Sequence, residues 1–316
     1  MSYIFASGAI GAKSTKLFKE TEYLTLRKAD KGDYFKVLRD LGYGFDHVAY
    51  YLDDVINNEL IKIKSELLSV VPNPNVIRIW FLKYDLINIK LVLKNHLFLN
   101  NASVKYDKAA TISINELKEA LINHNFSKVS DDNAVLLKQI LENINDKMTS
   151  QEISFACDKV VYKYMLDEAT KLSEQPLITY LKADIDSRNL ITMYRAKNIN
   201  SSPKSLNKAL ISGGNIETSL FVELYQKLAL EQIDILKLHF SSQVVEVLSQ
   251  LEETKNLSLL EKVTNESDLE KLTNYGYDTF SSGPLVNYLV KKEFEINNVR
   301  RLYFDKDIDL DNLIKY

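Results

Sequence analysis

The sequence predicts an all-α protein, and three observations support this fold class. Gly and Pro are scarce, with 9 and 5 copies among 316 residues, whereas the turns of β-sandwiches and doubly wound sheets usually need more of both. Apolar residues recur at the helical period, and the alternation typical of strands is rare. One short motif also occurs three times, which predicts three copies of one helical module.

The repeated motif is an acidic residue, two variable residues, an Asn, and then Leu or a β-branched residue. Its acid–Asn pairs are Asp85 and Asn88, Asp186 and Asn189, and Glu295 and Asn298. The copies lie about a third of the chain apart. The first falls within FLKYDLINIKLVLKNH (81–96), which is predicted to be one helix. A spacing of three residues places acid and Asn on one helix face, one turn apart.

Periodicity and capping signals predict helices along the rest of the chain. The predicted helical segments lie within 1–19, 20–44 (two short helices), 54–71, 76–96, 113–126, 132–147, 150–173, 179–197, 217–230, 231–240, 241–252, 258–274 and 283–304. Ser113 and Glu116 form a predicted capping box. The loop-like stretch 101–112 and the linker candidate INSSPK (199–204) divide the chain into modules of 1–112, 113–204 and 205–316, which could exchange terminal helices.

Composition excludes several classes of protein. The net charge of −3 gives no global basic bias, so neither nucleic acid nor anionic lipid is indicated as a partner. Cys157 is the single cysteine, so no disulfide can form within the chain. No stretch approaches the ~20 apolar residues of a spanning helix. The first residues lack the pattern of a signal peptide. We therefore expect a soluble protein that is not inserted in the membrane.

Motifs that would carry chemistry are incomplete. SGAIGAKST (7–15) has Ser7 and Ala12 where a phosphate loop needs Gly. DKDIDLDNLIKY (305–316) lacks the Gly and the bidentate Glu of a calcium loop. None of the four histidines, His47, His96, His124 and His239, has a metal-ligand partner at helical spacing. The sequence therefore predicts no catalytic residue, no cofactor and no metal site.

The threefold motif has two interpretations. In the structural one, the acid lies in the first helical turn near the positive end of the dipole, and the Asn is a satisfied polar group between helices. In the functional one, these faces grip a partner. Basic residues follow each Asn closely, namely Lys90, Lys94, Arg195, Lys197, Arg300 and Arg301. The candidate partner-contact or interdomain residues are the three acid–Asn pairs together with Arg300 and Arg301.

Four segments in order resemble one family, the C-type subunit of V/A-type rotary ATPases, called d in eukaryotes. They are YDLINIKLVLK (84–94), TYLKADIDSRNLITMYRAK (179–197), GGNI (213–216) and GPLVNYLVKKEFEINNVRRLYF (283–304). The length is similar to that of the prokaryotic branch. Residues 1–19 match this family only in their helical character.

The resemblance implies three similar helical domains around a pseudo-threefold axis, forming a funnel. Its narrow base would rest on the cytoplasmic loops of the membrane rotor ring, and its mouth would receive the central shaft of D-type and F-type subunits. Such a protein is peripheral, cytoplasmic and non-catalytic. It transmits torque in ATP-coupled proton or sodium transport.

Two other classes of function remain open from the sequence. An unrelated helical scaffold or adaptor could arise by ordinary repeat duplication, and co-purification with a membrane ATPase would exclude it. An enzyme could assemble its site from distant helices, and nucleotide binding or hydrolysis by the isolated chain would favour it.

Overall fold

The computed structural model describes residues 2–44, 51–98 and 104–316, and over these residues the chain is all-helical, without a β-strand. His47 and part of the predicted loop 101–112 lie outside the described residues. The helices are α1 Tyr3–Ser14, α2 Glu20–Lys28, α3 Tyr34–Asp40, α4 Leu52–Leu68, α5 Pro74–Leu97, α6 Ile114–Leu121, α7 Asp131–Glu142, α8 Ser150–Lys171, α9 Gln175–Asn198, α10 Pro203–Ala209, α11 Thr218–Tyr225, α12 Ala229–Leu236, α13 Ser242–Thr254, α14 Leu257–Glu270, α15 Thr273–Gly276, α16 Gly283–Phe304 and a 3₁₀-helix Leu310–Asn312.

The predicted all-α fold class is confirmed, and each motif copy lies in one long helix: α5, α9 or α16. We call these the signature helices. Each has a proline within its first two residues, where the missing N–H costs nothing because first-turn amides have no partner inside the helix. The predicted linker 199–204 is only a short turn, since α10 begins at Pro203 after a Ser202 cap.

The chain forms two compact units. Unit one comprises Met1–Pro74, Glu174–Tyr180 and Ala229–Tyr316, and unit two comprises Asn75–Ser173 and Leu181–Leu228. Each has its own apolar core. Tyr34 and Leu67 are completely buried in unit one, and Ile79 and Phe81 are at most 1% exposed in unit two. None of the helices in the described ranges is long and apolar enough to cross a membrane.

The capping box predicted at the start of α6 is present. Ser113 Oγ accepts a hydrogen bond from the Glu116 amide, and Glu116 Oε2 accepts one from the Ser113 amide at 2.9 Å. This arrangement satisfies two amides that the helix itself leaves without partners.

We expect Ser113→Ala to lower the free energy of unfolding by about 1 kcal/mol, because one cap hydrogen bond is lost. Urea denaturation measures the change. Ser130→Ala is the matched control, since Ser130 precedes α7 as a cap residue whose side chain makes no capping bond. Equal losses in the two variants would contradict the assignment.

Candidate functional site

The three acid–Asn pairs are buried in the signature helices. All six side chains are between 0 and 3% exposed. Removing a carboxylate or an amide from water is costly unless hydrogen bonds replace those made by the solvent. The partners of these six side chains therefore decide what the motif does.

Each Asn binds both backbone groups of a single residue further along the chain. Its Oδ1 accepts from that residue's N–H, and its Nδ2 donates to the same residue's C=O. The three pairs are Asn88 with Asp107 (2.8 and 2.8 Å), Asn189 with Ile211 (2.8 and 2.7 Å) and Asn298 with Ile314 (2.8 and 2.8 Å). The Asn side chain thus makes the pair of hydrogen bonds that a neighbouring backbone would make. These bonds hold a non-helical segment against the signature helix.

The first acid, Asp85, holds the same segment that Asn88 holds. Its Oδ1 accepts from the amides of Thr111 and Ile112, both at 2.8 Å, and its Oδ2 accepts from Thr111 Oγ1 at 2.6 Å. Charge-assisted bonds of this kind are short and strong. Asp85, Asn88 and segment 107–112 form what we call clamp one.

The second acid, Asp186, repeats this pattern in clamp two, which consists of Asp186, Asn189 and segment 211–216. Its carboxylate accepts from the amides of Asn215 (3.0 Å) and Ile216 (3.1 Å) and from Asn215 Nδ2 (2.9 Å). A Cβ on Gly214 would lie 2.1 Å from Asp186 Oδ1. Only glycine therefore allows the backbone to approach the carboxylate this closely.

The third acid, Glu295, has different partners. Its Oε2 accepts from the Phe18 amide at 2.7 Å, and its Oε1 lies 2.5 Å from Lys292 Nζ. The Lys292 ammonium also lies 2.6 Å from Glu59 Oε1 on α4. Burial opposes the charge of this lysine, but the two carboxylates hold the pKa of Lys292 above its usual range. We call Glu295, Asn298, Lys292, Phe18 and segment 313–316 clamp three.

One part of the structural interpretation is wrong. It places the acids in the first helical turn, but none of the signature helices has an acidic residue there. Asp85, Asp186 and Glu295 lie near the middle of their helices, where the dipole contributes little. Their charge is stabilised by loop amides and, in clamp three, also by an ammonium group.

The two arginines of the candidate set lie at the surface end of α16. Arg300 is 41% exposed in its side chain, and its NH2 lies 3.9 Å from Asp53 Oδ1. Arg301 NH1 donates to the Asn312 carbonyl at 3.1 Å. On α5, Lys90 forms an ion pair with Asp158 at 2.5 Å. These basic residues do not join the clamps, and a role in partner contact stays a prediction.

The predicted site residues do not include segments 107–112 and 211–216, although GGNI (213–216) is one of the four matching segments. Their sequences are DKAATI and ISGGNI, and each has two small residues followed by Thr or Asn and then Ile. The small residues allow a carboxylate to approach, and the Thr or Asn supplies a side-chain donor. This second repeat is visible in the sequence and is the signal that could have identified the partners of the motif.

The described residues contain no group of three or more His, Cys, Asp or Glu side chains that could hold a metal ion. Cys157 is completely buried in α8, and burial raises the pKa of its thiol to about 12. A thiol with this pKa stays protonated at neutral pH and is a poor nucleophile. The chemistry of the clamps is hydrogen bonding within the chain.

A comparison with known protein families shows which family matches the chain that contains these clamps. The family model described as "ATP synthase (C/AC39) subunit" matches residues 6–306, a range that includes all three signature helices. The chain belongs to this family. C/AC39 family membership agrees with the family that the four sequence segments resemble.

Three curated relatives are similar to this C/AC39 chain, and each is named as the C-type subunit of an A-type ATP synthase. The protein from Thermoplasma acidophilum is 21% identical over 79% of this chain and 76% of its own length. The one from Thermoplasma volcanium is 24% identical over 64% of this chain and 60% of its own length. The one from Methanosarcina acetivorans is 25% identical over 99% of this chain and 92% of its own length.

Proposed function

We propose that this C/AC39 protein is a non-catalytic central-stalk component of a V/A-type rotary ATPase. It joins the central shaft, made of D-type and F-type subunits, to the membrane rotor ring and transmits torque between them. The observation that carries this proposal is the family match over residues 6–306. In addition, two relatives that match this chain over most of their own length are named as ATP synthase subunits. Its place is on the cytoplasmic side of the membrane, and it couples ATP to proton or sodium transport.

The clamps support a mechanical role. A coupler has to resist deformation, and each clamp fixes a loop to the middle of a long helix through at least three hydrogen bonds. Each bond contributes about 1 kcal/mol, or more where the acceptor is charged. Leaving any of these buried groups without a partner costs more than that. Clamps one and two therefore each hold their loop in one position.

The proposed organisation follows from this role. We propose three modules, 1–112, 113–204 and 205–316, arranged about a pseudo-threefold axis as a funnel. Its mouth receives the shaft and its base rests on the ring. Polar surfaces that pair only when correctly docked would keep the two interfaces from slipping.

A pull-down from detergent-solubilised membranes tests the proposal. A tagged chain is expected to bring down the head components of the ATPase and the ring protein together. An unrelated scaffold protein would bring down neither. ATP hydrolysis by the isolated chain would instead favour an enzyme.

Arg300 provides a residue-level test of partner contact. The Arg300 side chain is 41% exposed and lies 3.9 Å from Asp53. We expect Arg300→Glu to weaken binding to purified shaft or ring proteins about fivefold, because the change removes one exposed ion pair with the partner. The melting temperature should stay unchanged. Lys128→Glu, at an exposed position in unit two, is the control. Equal affinities for both variants would show that Arg300 does not contact the partner.

A further inference from the structure

Clamp three is assembled from two distant parts of the chain. In clamps one and two, one continuous segment supplies the residue held by Asn and the residues held by the acid. In clamp three, Asn298 holds Ile314, whereas Glu295 holds Phe18, 277 positions away from Glu295 in sequence. Both halves belong to unit one.

Phe18 is the structural equivalent of Ile112 and Ile216. Each donates its amide to the acid of a clamp, at 2.7, 2.8 and 3.1 Å respectively. Each is also followed by one cap residue before the next helix, which starts at Glu20, Ile114 or Thr218. The stretch 17–19 therefore does for the third signature helix what 111–113 and 215–217 do for the other two.

Tyr316 joins the two parts of clamp three. Its hydroxyl donates to the Phe18 carbonyl at 2.8 Å and lies 2.5 Å from Tyr23 Oη. Asn298 Nδ2 in turn lies 3.3 Å from Tyr23 Oη. The contact between stretches 17–19 and 313–316 therefore depends on a small hydrogen-bond network rather than on a continuous backbone.

The acid of clamp three holds its segment through fewer hydrogen bonds than the acids of clamps one and two. Asp85 and Asp186 each accept three hydrogen bonds from one segment. Glu295 accepts one from Phe18, and its other oxygen faces the buried ammonium of Lys292. The desolvation of such buried charges offsets much of their attraction.

Two cavities border residues 3–19, although Ala6, Ile10, Leu17 and Phe18 in this stretch are buried. A cavity of about 640 Å³ is lined by Ser7, Gly11 and Ser14 of α1, and a second of about 580 Å³ is lined by Lys16 and Phe18. Gly11 is exposed to solvent, and a Cβ there would meet no atom within 4 Å. One side of this stretch therefore faces solvent, and segments at the surface open at lower free energy than the global fold.

We infer that clamp three is a releasable closure, and that residues 3–19 form a strap that detaches from α16 and from residues 313–316 while clamps one and two stay formed. Opening separates Phe18 from Glu295 and Tyr316. It exposes the charged group of Glu59, Lys292 and Glu295 to water. The inference concerns the isolated chain and holds whether or not the chain couples a shaft to a ring.

Amide hydrogen exchange on the isolated full chain tests the closure. The protection factor of Phe18 is expected to be at least tenfold lower than those of Ile112, Ile216 and Ile314, because the Ile314 amide stays bonded to Asn298 when the strap detaches. The four amides are each held by an acid or Asn of a clamp. Ile314 lies in unit one with Phe18, so the comparison separates the closure from opening of unit one as a whole. Protection of Phe18 as strong as that of Ile314 would overturn the inference.

Tyr316→Phe supplies the second measurement. Loss of its hydroxyl should speed exchange at Phe18 about fivefold, the effect of one net hydrogen bond, and leave Ile314, Ile112 and Ile216 unchanged. Tyr225→Phe is the matched control, because the Tyr225 hydroxyl bonds to the Ser201 carbonyl within unit two. Equal acceleration at all four amides in Tyr316→Phe would mean global unfolding and would overturn the closure.

Discussion

Replacing Asn189 by Ala is expected to lower the free energy of unfolding by about 2–5 kcal/mol. The substitution leaves both the N–H and the C=O of Ile211 without partners, and each unsatisfied buried group costs about 1–3 kcal/mol. Ile211 is 6% exposed, so water cannot fully replace the amide. Urea denaturation of the purified variant measures the loss.

The matched control is Asn143→Ala. The Asn143 side chain also donates to a backbone carbonyl, that of Gln139 at 2.8 Å, but it is exposed. We expect this change to stay within about 0.5 kcal/mol, as for most surface substitutions. A similar cost for both variants would show that burial does not decide the effect.

The same experiment separates the two interpretations of the motif in all three clamps. Asn88→Ala, Asn189→Ala and Asn298→Ala are expected to lose stability, while the folded fraction of each keeps its affinity for the shaft. Unchanged stability with weakened shaft binding would instead show that the Asn side chains face a partner. Their burial and their paired backbone bonds favour the first result.

The helices could be predicted from sequence because their signals are local. The capping box at Ser113 and the threefold motif both act within a few residues. The partners of the motif are not local. Asn88 reaches 19 positions along the chain and Asp186 reaches 30, so spacing predicts a shared helix face but not the segment opposite it.

In clamp three, the sequence repeat predicts only one of the two segments that the signature helix holds. Its first half, Ile314, follows its signature helix as in the other copies, but its second half, Phe18, lies at the other end of the sequence. No local pattern links Leu17–Lys19 to α16. The four segments that carry the resemblance do not include residues 1–19, so the resemblance could not supply the link either.

Gly214→Ala is expected to destabilise the chain by at least about 3 kcal/mol, the range seen when a buried charged network is broken. The new Cβ would lie 2.1 Å from Asp186 Oδ1 and 3.0 Å from its Cγ. The carboxylate or the loop therefore has to move, and the bonds to Asn215 and Ile216 are lost. Gly11→Ala is the matched control. Its Cβ meets nothing within 4 Å in a helix, so stability should rise by about 0.5–1 kcal/mol.

A double-mutant cycle then shows whether Gly214 acts through Asp186. If the methyl group is harmful because it displaces the carboxylate, Asp186→Ala removes both the clash and the bonds that the clash would break. Gly214→Ala should then cost much less in the Asp186→Ala background than in the native chain, with a coupling energy of about 1–3 kcal/mol. Additive costs would mean that glycine is needed at position 214 for the turn at Gly213, whose φ is +103°. The close approach of the acid to the loop would then not be the reason.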